Sequence, residues 1–207
     1  METGATSRPD ANEPLSDQLE HWLQSDGDKT LGTLIEFFEK KSFAILFVLL
    51  LSVPALPLPT GGVTHVFEVI AILLALQLIA GRETIWLPQR WRMRRIAEGS
   101  GRAVQTLLKL IRMLERFSRP RLAWLFDHRL SNVIFGAVVA AGAAAAFLAP
   151  PFSGLDTLPA LGVVLVSLGV LMEDFAVVLA GLAVGAGGIV LELFVGRAVF
   201  DAIKKLL

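Results

Sequence analysis

Long apolar runs separated by short polar breaks dominate the chain from residue 43 onward. The first two runs, residues 43–59 and 66–81, meet at a joint that is rich in proline and glycine. As helices they would be about 25 and 24 Å long, less than the roughly 30 Å of a bilayer core. The pair therefore predicts either two short spans or a proline-hinged hairpin that enters the membrane without crossing it.

The second half of the chain has a similar pattern of runs and breaks. Residues 130–149 contain no charge and have the length of one full span. Residues 158–196 are apolar except for Glu173, Asp174 and Glu192, and they are long enough for two further spans. The predicted hinges of both halves are Pro54, Pro57, Pro59, Pro150 and Pro151.

A shift of 92 positions aligns the two halves, because it places Pro59 on Pro151 and Arg82 on Asp174. Both halves then show the same order of apolar run, prolines, polar joint, apolar run and charged pair. This order predicts an internal duplication, a plan used by transporters whose site lies where interrupted helices meet.

Amphipathic segments flank these runs at residues 15–23, 31–38 and 104–116, where apolar side chains recur at helical spacing. The first two are expected to pack on the membrane surface. The third is basic and is expected to lie on the anionic cytoplasmic leaflet. The predicted fold is all-α, a polytopic helical membrane protein with two Pro-interrupted hairpin repeats and interfacial amphipathic helices.

The predicted domain organisation is simple. Residues 1–27 form a polar N-terminal segment with a short helix, and residues 28–207 form one membrane domain. That domain divides into repeat 1 at about 43–88, a basic linker at about 89–129, and repeat 2 at about 130–196. Asp28 or Thr30 is expected to cap the second helix, Asp156 to cap the helix after the second proline joint, and Gly181 with Gly185 to allow close helix packing.

Composition and charge support a membrane protein and give it an orientation. The chain is 54% hydrophobic, whereas a globular domain is usually about 45–50% apolar. Of its 19 basic residues, 12 lie between Arg82 and Arg129. Short loops rich in Lys and Arg stay in the cytoplasm, so residues 82–129 are predicted to be cytoplasmic. The side of the C-terminus stays open, since Arg197, Lys204 and Lys205 argue against an outside end.

The candidate functional residues are polar groups within or at the edges of apolar runs, because a charge at the bilayer centre costs at least about 2.5–3.5 kcal/mol. Arg82 is expected to pair with Glu173 or Asp174 across the two halves, near both proline joints. Otherwise these charges merely end their helices. Glu68 and Glu192 lie within apolar segments, and each is expected either to belong to a structural pair or to line a polar cavity. The full set is His65, Glu68, Gln77, Arg82, Glu83, Asp156, Glu173, Asp174 and Glu192.

Signatures of catalysis are missing from the sequence. It has no cysteine, which excludes a thiolate nucleophile and a Cys-based metal site. Its three histidines lack the HExxH spacing, and there is no GxSxG motif. The adjacent carboxylates Glu173 and Asp174 would point about 100° apart on a helix. The chain is therefore predicted not to be an enzyme and to bind neither cofactor nor metal.

Two groups of residues resemble the ExoD family of bacterial exopolysaccharide synthesis proteins. The first comprises PALPLP at 54–59, LALQ at 74–77, Gly81-Arg82 and Trp-Leu-Pro at 86–88, and the second comprises TLPAL at 157–161, SLGVL at 167–171 and Glu173-Asp174. The resemblance covers roughly residues 28–200. That family favours an Asn before Leu-Pro and a Gly after the acidic residue, whereas this chain has Asp156 one step earlier than that Asn and Phe175 in place of the Gly.

The resemblance implies a multi-pass protein of the bacterial inner membrane with a role in exopolysaccharide production, and it supplies no catalytic residues. The leading hypothesis is an integral protein that contributes non-catalytically to exopolysaccharide synthesis or export. The alternative is a small transporter or channel for an ion or lipid-linked precursor, built from two repeated re-entrant hairpins. A third is a scaffold that recruits polysaccharide enzymes. Expected partners are the bilayer, other membrane proteins of the pathway and a second copy of the chain, but not nucleic acid.

Overall fold

Helices are the only regular elements in the part of the chain that this computed structural model describes. Those residues are 14–24, 28–38, 41–56, 64–82, 84–93, 108–109, 111–113, 115–116, 129–150 and 153–206. In chain order the helices are α1 (Leu15–Gln24), α2 (Leu31–Phe38), α3 (Ser42–Leu51), α4 (Thr64–Ile79), α5 (Gln89–Arg92), α6 (Arg129–Leu148), α7 (Thr157–Leu171) and α8 (Phe175–Leu206). The predicted all-α fold is confirmed for these residues.

The helices α4, α6, α7 and α8 form an antiparallel bundle. At one end of the α4–α6 pair, the His65 ring lies 5.3 Å from the Phe147 ring, measured between centroids. Towards the other end, a Cβ added to Gly136 of α6 would lie 2.9 Å from the side chain of Ile79. The start of each of these helices therefore lies beside the end of the other.

The short helix α3 fills the middle of the bundle. It is apolar on all sides, which is typical of a helix that its neighbours cover completely. Its residues Phe47 and Leu51 are fully buried, and the Phe47 ring packs edge-on against Phe135 of α6 with centroids 5.6 Å apart. Because α3 packs on α4 and α7 as well, it links both halves of the chain.

Glycines allow α7 and α8 to pack backbone against backbone. A Cβ added to Gly162 of α7 would lie 2.4 Å from the Cα of Gly185, and one added to Gly181 would lie 2.5 Å from the backbone nitrogen of Val166. No side chain fits at such distances. The predicted packing role of Gly181 and Gly185 is confirmed.

The helices α4 and α7 end in the same hydrogen-bonded turn. In α4, the N–H of Arg82 donates to the carbonyl of Gln77 and the N–H of Gly81 donates to that of Leu78. In α7, the N–H of Asp174 donates to the carbonyl of Gly169, and that of Glu173 donates to Val170. Both turns place a residue in the left-handed conformation, Gly81 at φ 79° and Glu173 at φ 54°. This is the Schellman arrangement, which satisfies the last carbonyls of a helix.

Polar side chains define two of the helix starts, and the sequence predicted one of these caps correctly. Thr30 and Thr33 cap α2 reciprocally: each backbone N–H donates to the other's hydroxyl, at 3.1 and 3.2 Å. Asp156 occupies the N-cap position of α7 as expected, but its side chain makes no capping hydrogen bond, so the prediction that it caps this helix is wrong. The start of α8 is capped by Asp174, whose carboxylate accepts a 2.9 Å hydrogen bond from the N–H of Ala176.

The helix α1 is held by the basic segment that follows α5. Ser16 donates two hydrogen bonds to the Glu115 carboxylate, from its backbone N–H at 2.9 Å and from its hydroxyl at 2.5 Å. Ile111 is buried in the same apolar core as Trp22. The prediction that this segment lays its apolar face on lipid is therefore wrong for Ile111, because α1 supplies an apolar partner within the protein.

Two of the described helices are long and apolar enough to cross a membrane. They are α6, with 20 residues, and residues Phe175–Ala198 of α8, with 24. In the 18-residue stretch of α8 that has the highest mean hydropathy, only 11% is buried inside the protein. The other apolar helices, α3, α4 and α7, have 10 to 16 residues and are shorter than a full span.

The proline joints and the charged helix ends lie at opposite ends of the bundle. Pro54, which is buried, and Pro150, which is exposed, precede the starts of α4 and α7, whereas Arg82, Glu173 and Asp174 follow the ends of these helices. Each helix is about 22–24 Å long. The prediction that these charges approach the joints is therefore wrong. The predicted hinges Pro57, Pro59 and Pro151 lie outside the described residues.

Candidate functional site

A buried glutamate lies at the end of the bundle where the proline joints precede α4 and α7, which we call the joint end. Glu68, on the first turns of α4, has no exposed surface, and its Oε2 lies 2.7 Å from Nδ1 of His65. Three residues separate the two along one helix face, which brings their side chains together. The other carboxylate oxygen, Oε1, has no hydrogen-bond partner within the described structure. The His65 side chain is 27% exposed, so it lies between Glu68 and the surface.

Two further predicted residues lie near this pair. Asp156, at the start of α7, is close enough for its charge to act on Glu68 and also on Glu192 of α8. The fold therefore gathers four of the nine candidates from three helices at the joint end: His65, Glu68, Asp156 and Glu192. Among the described residues, no three His, Asp or Glu side chains stand close enough to hold a metal ion.

The cluster offers hydrogen bonding and negative charge in a largely apolar setting. A carboxylate buried with one hydrogen-bond partner is costly unless a proton or a cation shares the site. The imidazole of His65 can donate to Glu68 or accept from it, depending on which of the two holds the proton. These groups can exchange a proton with each other, but the four side chains include no hydroxyl or thiol nucleophile.

At the opposite end, the predicted ion pair of Arg82 with Glu173 does not form. Glu173 pairs instead with Lys41, at 3.3 Å, and the Lys41 ammonium also donates to the Leu171 carbonyl at 3.2 Å. Asp174 is buried and caps α8. Glu173 and Asp174 therefore lie where α7 ends and α8 starts, in line with the alternative that these charges merely end their helices. Glu83 lies outside the described residues.

Gln77 has a positioning role that the sequence did not reveal. Its amide oxygen accepts a hydrogen bond of 2.9 Å from the N–H of Trp86, and its amide nitrogen donates to the Trp86 carbonyl at 3.2 Å. Both ends of the amide are thereby used to fix the backbone of Trp86. The indole itself is 64% exposed.

The exposed indole lines an open groove of about 460 Å³ between α2 and the stretch from residue 85 to α5. The sequence analysis did not reveal the groove, because its walls come from two segments that are about fifty residues apart in the chain. The buried hydroxyl of Ser167, which has no hydrogen-bond partner within the described structure, was also missed.

Comparison with known proteins identifies relatives over most of the chain. A profile of the family described as "Exopolysaccharide synthesis, ExoD" matches residues 15–194. The chain is 32% identical over 178 residues to "Protein ExoD" of Rhizobium meliloti, which covers 83% of this chain and 73% of that protein. It is 31% identical over 177 residues to an uncharacterized protein of Synechocystis sp., which covers 84% of this chain and 80% of the other. No solved structure matches the chain.

Proposed function

The chain belongs to the ExoD family of exopolysaccharide synthesis proteins, and from this membership we propose that it is an integral protein of the bacterial inner membrane. In this role it contributes to exopolysaccharide synthesis or export without catalysing a reaction itself. The observation that carries the membrane assignment is the apolar surface that the bundle leaves uncovered.

This surface runs along three helices. On α8 it includes Val190, Leu193 and Phe194, the last of which is 71% exposed. The outward faces of α4 and α6 add further large apolar side chains, namely Val66, Leu73, Leu76, Leu130, Ile134 and Leu148. Soluble monomers rarely expose so many large apolar side chains on neighbouring helices, whereas the chains of a bilayer are as apolar as these side chains and can cover them.

The topology follows from helix length and charge. In our proposal α6 and α8 cross the membrane fully, and the shorter α3, α4 and α7 pack against them, with the outward face of α4 against lipid. The end with residues 82–129 faces the cytoplasm, because it carries most of the basic residues. Since α6, α7 and α8 alternate in direction, the C-terminus lies on the opposite face.

A duplication of a helical unit is also part of the proposal. The Schellman turns at Gly81 and Glu173 are 92 positions apart, and so are their hydrogen-bonded pairs, Arg82 with Gln77 and Asp174 with Gly169. The same backbone turn recurs at this spacing although the aligned side chains differ. This recurrence supports two related units.

A non-catalytic role is favoured by the chemistry of the joint end. Glu68, the carboxylate at the centre of this cluster, is fully buried and has no exposed surface on which a sugar or a phosphate could bind. No observation on the described residues favours the alternative of a transporter or channel. The exposed face of α8 is also where another membrane protein of the pathway, or a second copy of the chain, would pack.

The test uses a strain from which the gene has been deleted, and this strain should make less exopolysaccharide. The wild-type gene should restore both the polymer and a protein that stays in the membrane after carbonate extraction. The change Val190→Asp places a charge on the exposed apolar face, where insertion costs roughly 2.5–3.5 kcal/mol. It should reduce the membrane-bound protein and the polymer together.

The matched control is Ser153→Asp, which adds the same charge at an exposed position in the joint between α6 and α7. It should behave as the wild type does. Wild-type protein that is released by carbonate would contradict the membrane assignment. Unchanged exopolysaccharide in the deletion strain would contradict the role in its production.

A further inference from the structure

The groove beside Trp86 has the size and the walls of a ligand site. Its volume of about 460 Å³ lies within the roughly 300–1,000 Å³ typical of small-molecule sites. One wall is apolar, with Ile85 and Leu87, and the other carries the polar side chains of Thr30, Thr33, Glu36, Gln89 and Arg92. A ligand in this groove would meet an aromatic face and several hydrogen-bonding groups.

The backbone that carries the aromatic side chain is held in place before any ligand arrives. Two hydrogen bonds with the Gln77 amide, one to the N–H and one to the carbonyl of Trp86, fix the backbone of this residue. Ile85, the preceding residue, is buried in the core and anchors the same stretch. An indole that is exposed on a fixed backbone offers a flat surface at little entropic cost, which favours binding.

The polar wall is nearly neutral. Arg92 and Glu36 form an ion pair of 2.7 Å that joins α5 to α2. Gly32 permits this approach, since a Cβ there would lie 3.2 Å from the Arg92 carbonyl. Among the described residues that line the groove, the one guanidinium is already matched by a carboxylate, so these residues offer no excess positive charge to select a phosphate.

We propose that this groove binds the sugar units of the exopolysaccharide or of its precursor, with Trp86 as the stacking surface. The C–H face of a hexose packs on an indole, and its hydroxyls both donate and accept. Glu36 accepts, Arg92 donates, and Gln89 and the threonine hydroxyls do both. The groove thereby matches a neutral, hydroxyl-rich ligand, whose hydroxyls can use both the donors and the acceptors of its polar wall.

The groove binds sugar without cleaving it. Hydrolysis of a glycosidic bond normally uses two carboxyl groups that flank the bond. Glu36 is the one carboxylate among the described residues that line the groove, and its partner is Arg92. This inference rests on the proposed role in exopolysaccharide production and gives that role a ligand class.

The experiment measures binding of a fluorescently labelled neutral gluco-oligosaccharide to the full chain in lipid nanodiscs free of sugar-based detergent. The wild type should bind the probe saturably. Trp86→Ala should weaken binding roughly tenfold or more, as loss of a central aromatic contact does. Gln77→Ala should also weaken it, by releasing the backbone of Trp86, while Trp86→Phe should retain most of the affinity.

The matched control is Met113→Ala, at an exposed residue that does not line the groove, and it should bind as the wild type does. Thermal unfolding of each variant shows whether it is folded. Glu36→Gln is a second variant of the groove, and it leaves the indole of Trp86 in place. Equal binding by the wild type and Trp86→Ala, or no saturable binding by the wild type, would overturn the inference.

The headgroup alternative has its own outcome. If Trp86→Ala leaves sugar binding unchanged but weakens binding of labelled phosphatidylglycerol to the protein in the nanodisc, Trp86 is a lipid contact and the inference is wrong. The proposed function is tested separately by the deletion strain. Lost exopolysaccharide together with absent sugar binding would leave the proposed function standing and remove only the ligand.

Discussion

Two residues in the left-handed backbone conformation, Gly81 and Glu173, show how single side chains tune this fold. A left-handed conformation costs a residue with a Cβ about 1–2 kcal/mol, but it costs glycine almost nothing. Glu173 bears this cost at the end of α7 and offsets part of it through its ion pair with Lys41. That pair is partly exposed, so it is worth at most about 1 kcal/mol.

Substitutions at these two positions should therefore have opposite effects. Gly81→Ala should lower the free energy of unfolding by about 1–2 kcal/mol, because alanine is strained at φ 79°. Glu173→Gly should leave it unchanged or raise it by up to about 1 kcal/mol, because relief of strain outweighs the lost pair. Thermal or denaturant unfolding of the purified protein measures both. Glu173→Ala, which loses the pair and keeps the strain, is the control. If Glu173→Gly lowered the free energy of unfolding as much as Gly81→Ala does, that result would contradict this account.

The sequence identified polar residues of interest well, but it could not assign their partners. Glu68 was predicted because a carboxylate inside an apolar run is costly, and it is indeed fully buried beside His65. The partner of Glu173 was predicted wrongly, since Lys41 is 132 positions away and only the packing of α3 on α7 brings it near. Gln77 likewise contacts a backbone rather than a side chain, which no residue pattern reveals.

At the scale of helices, close packing of α7 on α8 depends on glycine. The shortest approach is at Gly162, where an added Cβ would meet the backbone of Gly185. The neighbouring glycine of α8, Gly187, has no atom within 4 Å of such a Cβ. The two positions thus separate the effect of packing from the intrinsic effect of replacing glycine in a helix.

Gly162→Ala should force the helices apart and lower the free energy of unfolding by about 1–3 kcal/mol. Gly187→Ala should leave stability unchanged or raise it by up to about 1 kcal/mol, because alanine has the higher helix propensity. Unfolding of both variants in the same detergent gives the comparison. Equal stabilities for the two variants would mean that α7 and α8 do not pack at this distance.

Helix positions were more predictable than helix contacts. The apolar run at 66–81 and the segment after Asp156 correspond closely to α4 and α7, because proline joints and charged ends delimit them clearly. The sequence did not show which ends meet. Antiparallel packing places both joints at one end and Arg82, Glu173 and Asp174 at the other, and this direction depends on contacts such as His65 with Phe147.

At the scale of the whole molecule, the bundle has two chemically distinct ends. One end carries the buried Glu68 beside His65, with Asp156 and Glu192, and the other carries Lys41, Arg82 and Arg92 and the groove beside Trp86. Between them lies the uncovered apolar surface of α4, α6 and α8. This separation is the basis of the proposal that the two ends face opposite sides of a membrane.

The most direct test is to map the two ends with single cysteines, which the natural absence of cysteine makes possible. Thr84→Cys lies beyond the end of α4 and Ser153→Cys lies in the joint between α6 and α7, and both positions are exposed. A membrane-impermeant thiol reagent is added to intact spheroplasts and, separately, to opened membranes. The account predicts that Ser153→Cys is labelled in spheroplasts and that Thr84→Cys is labelled only after the membranes are opened. Labelling of both positions from the same side would contradict a crossing by α6 and with it the central claim.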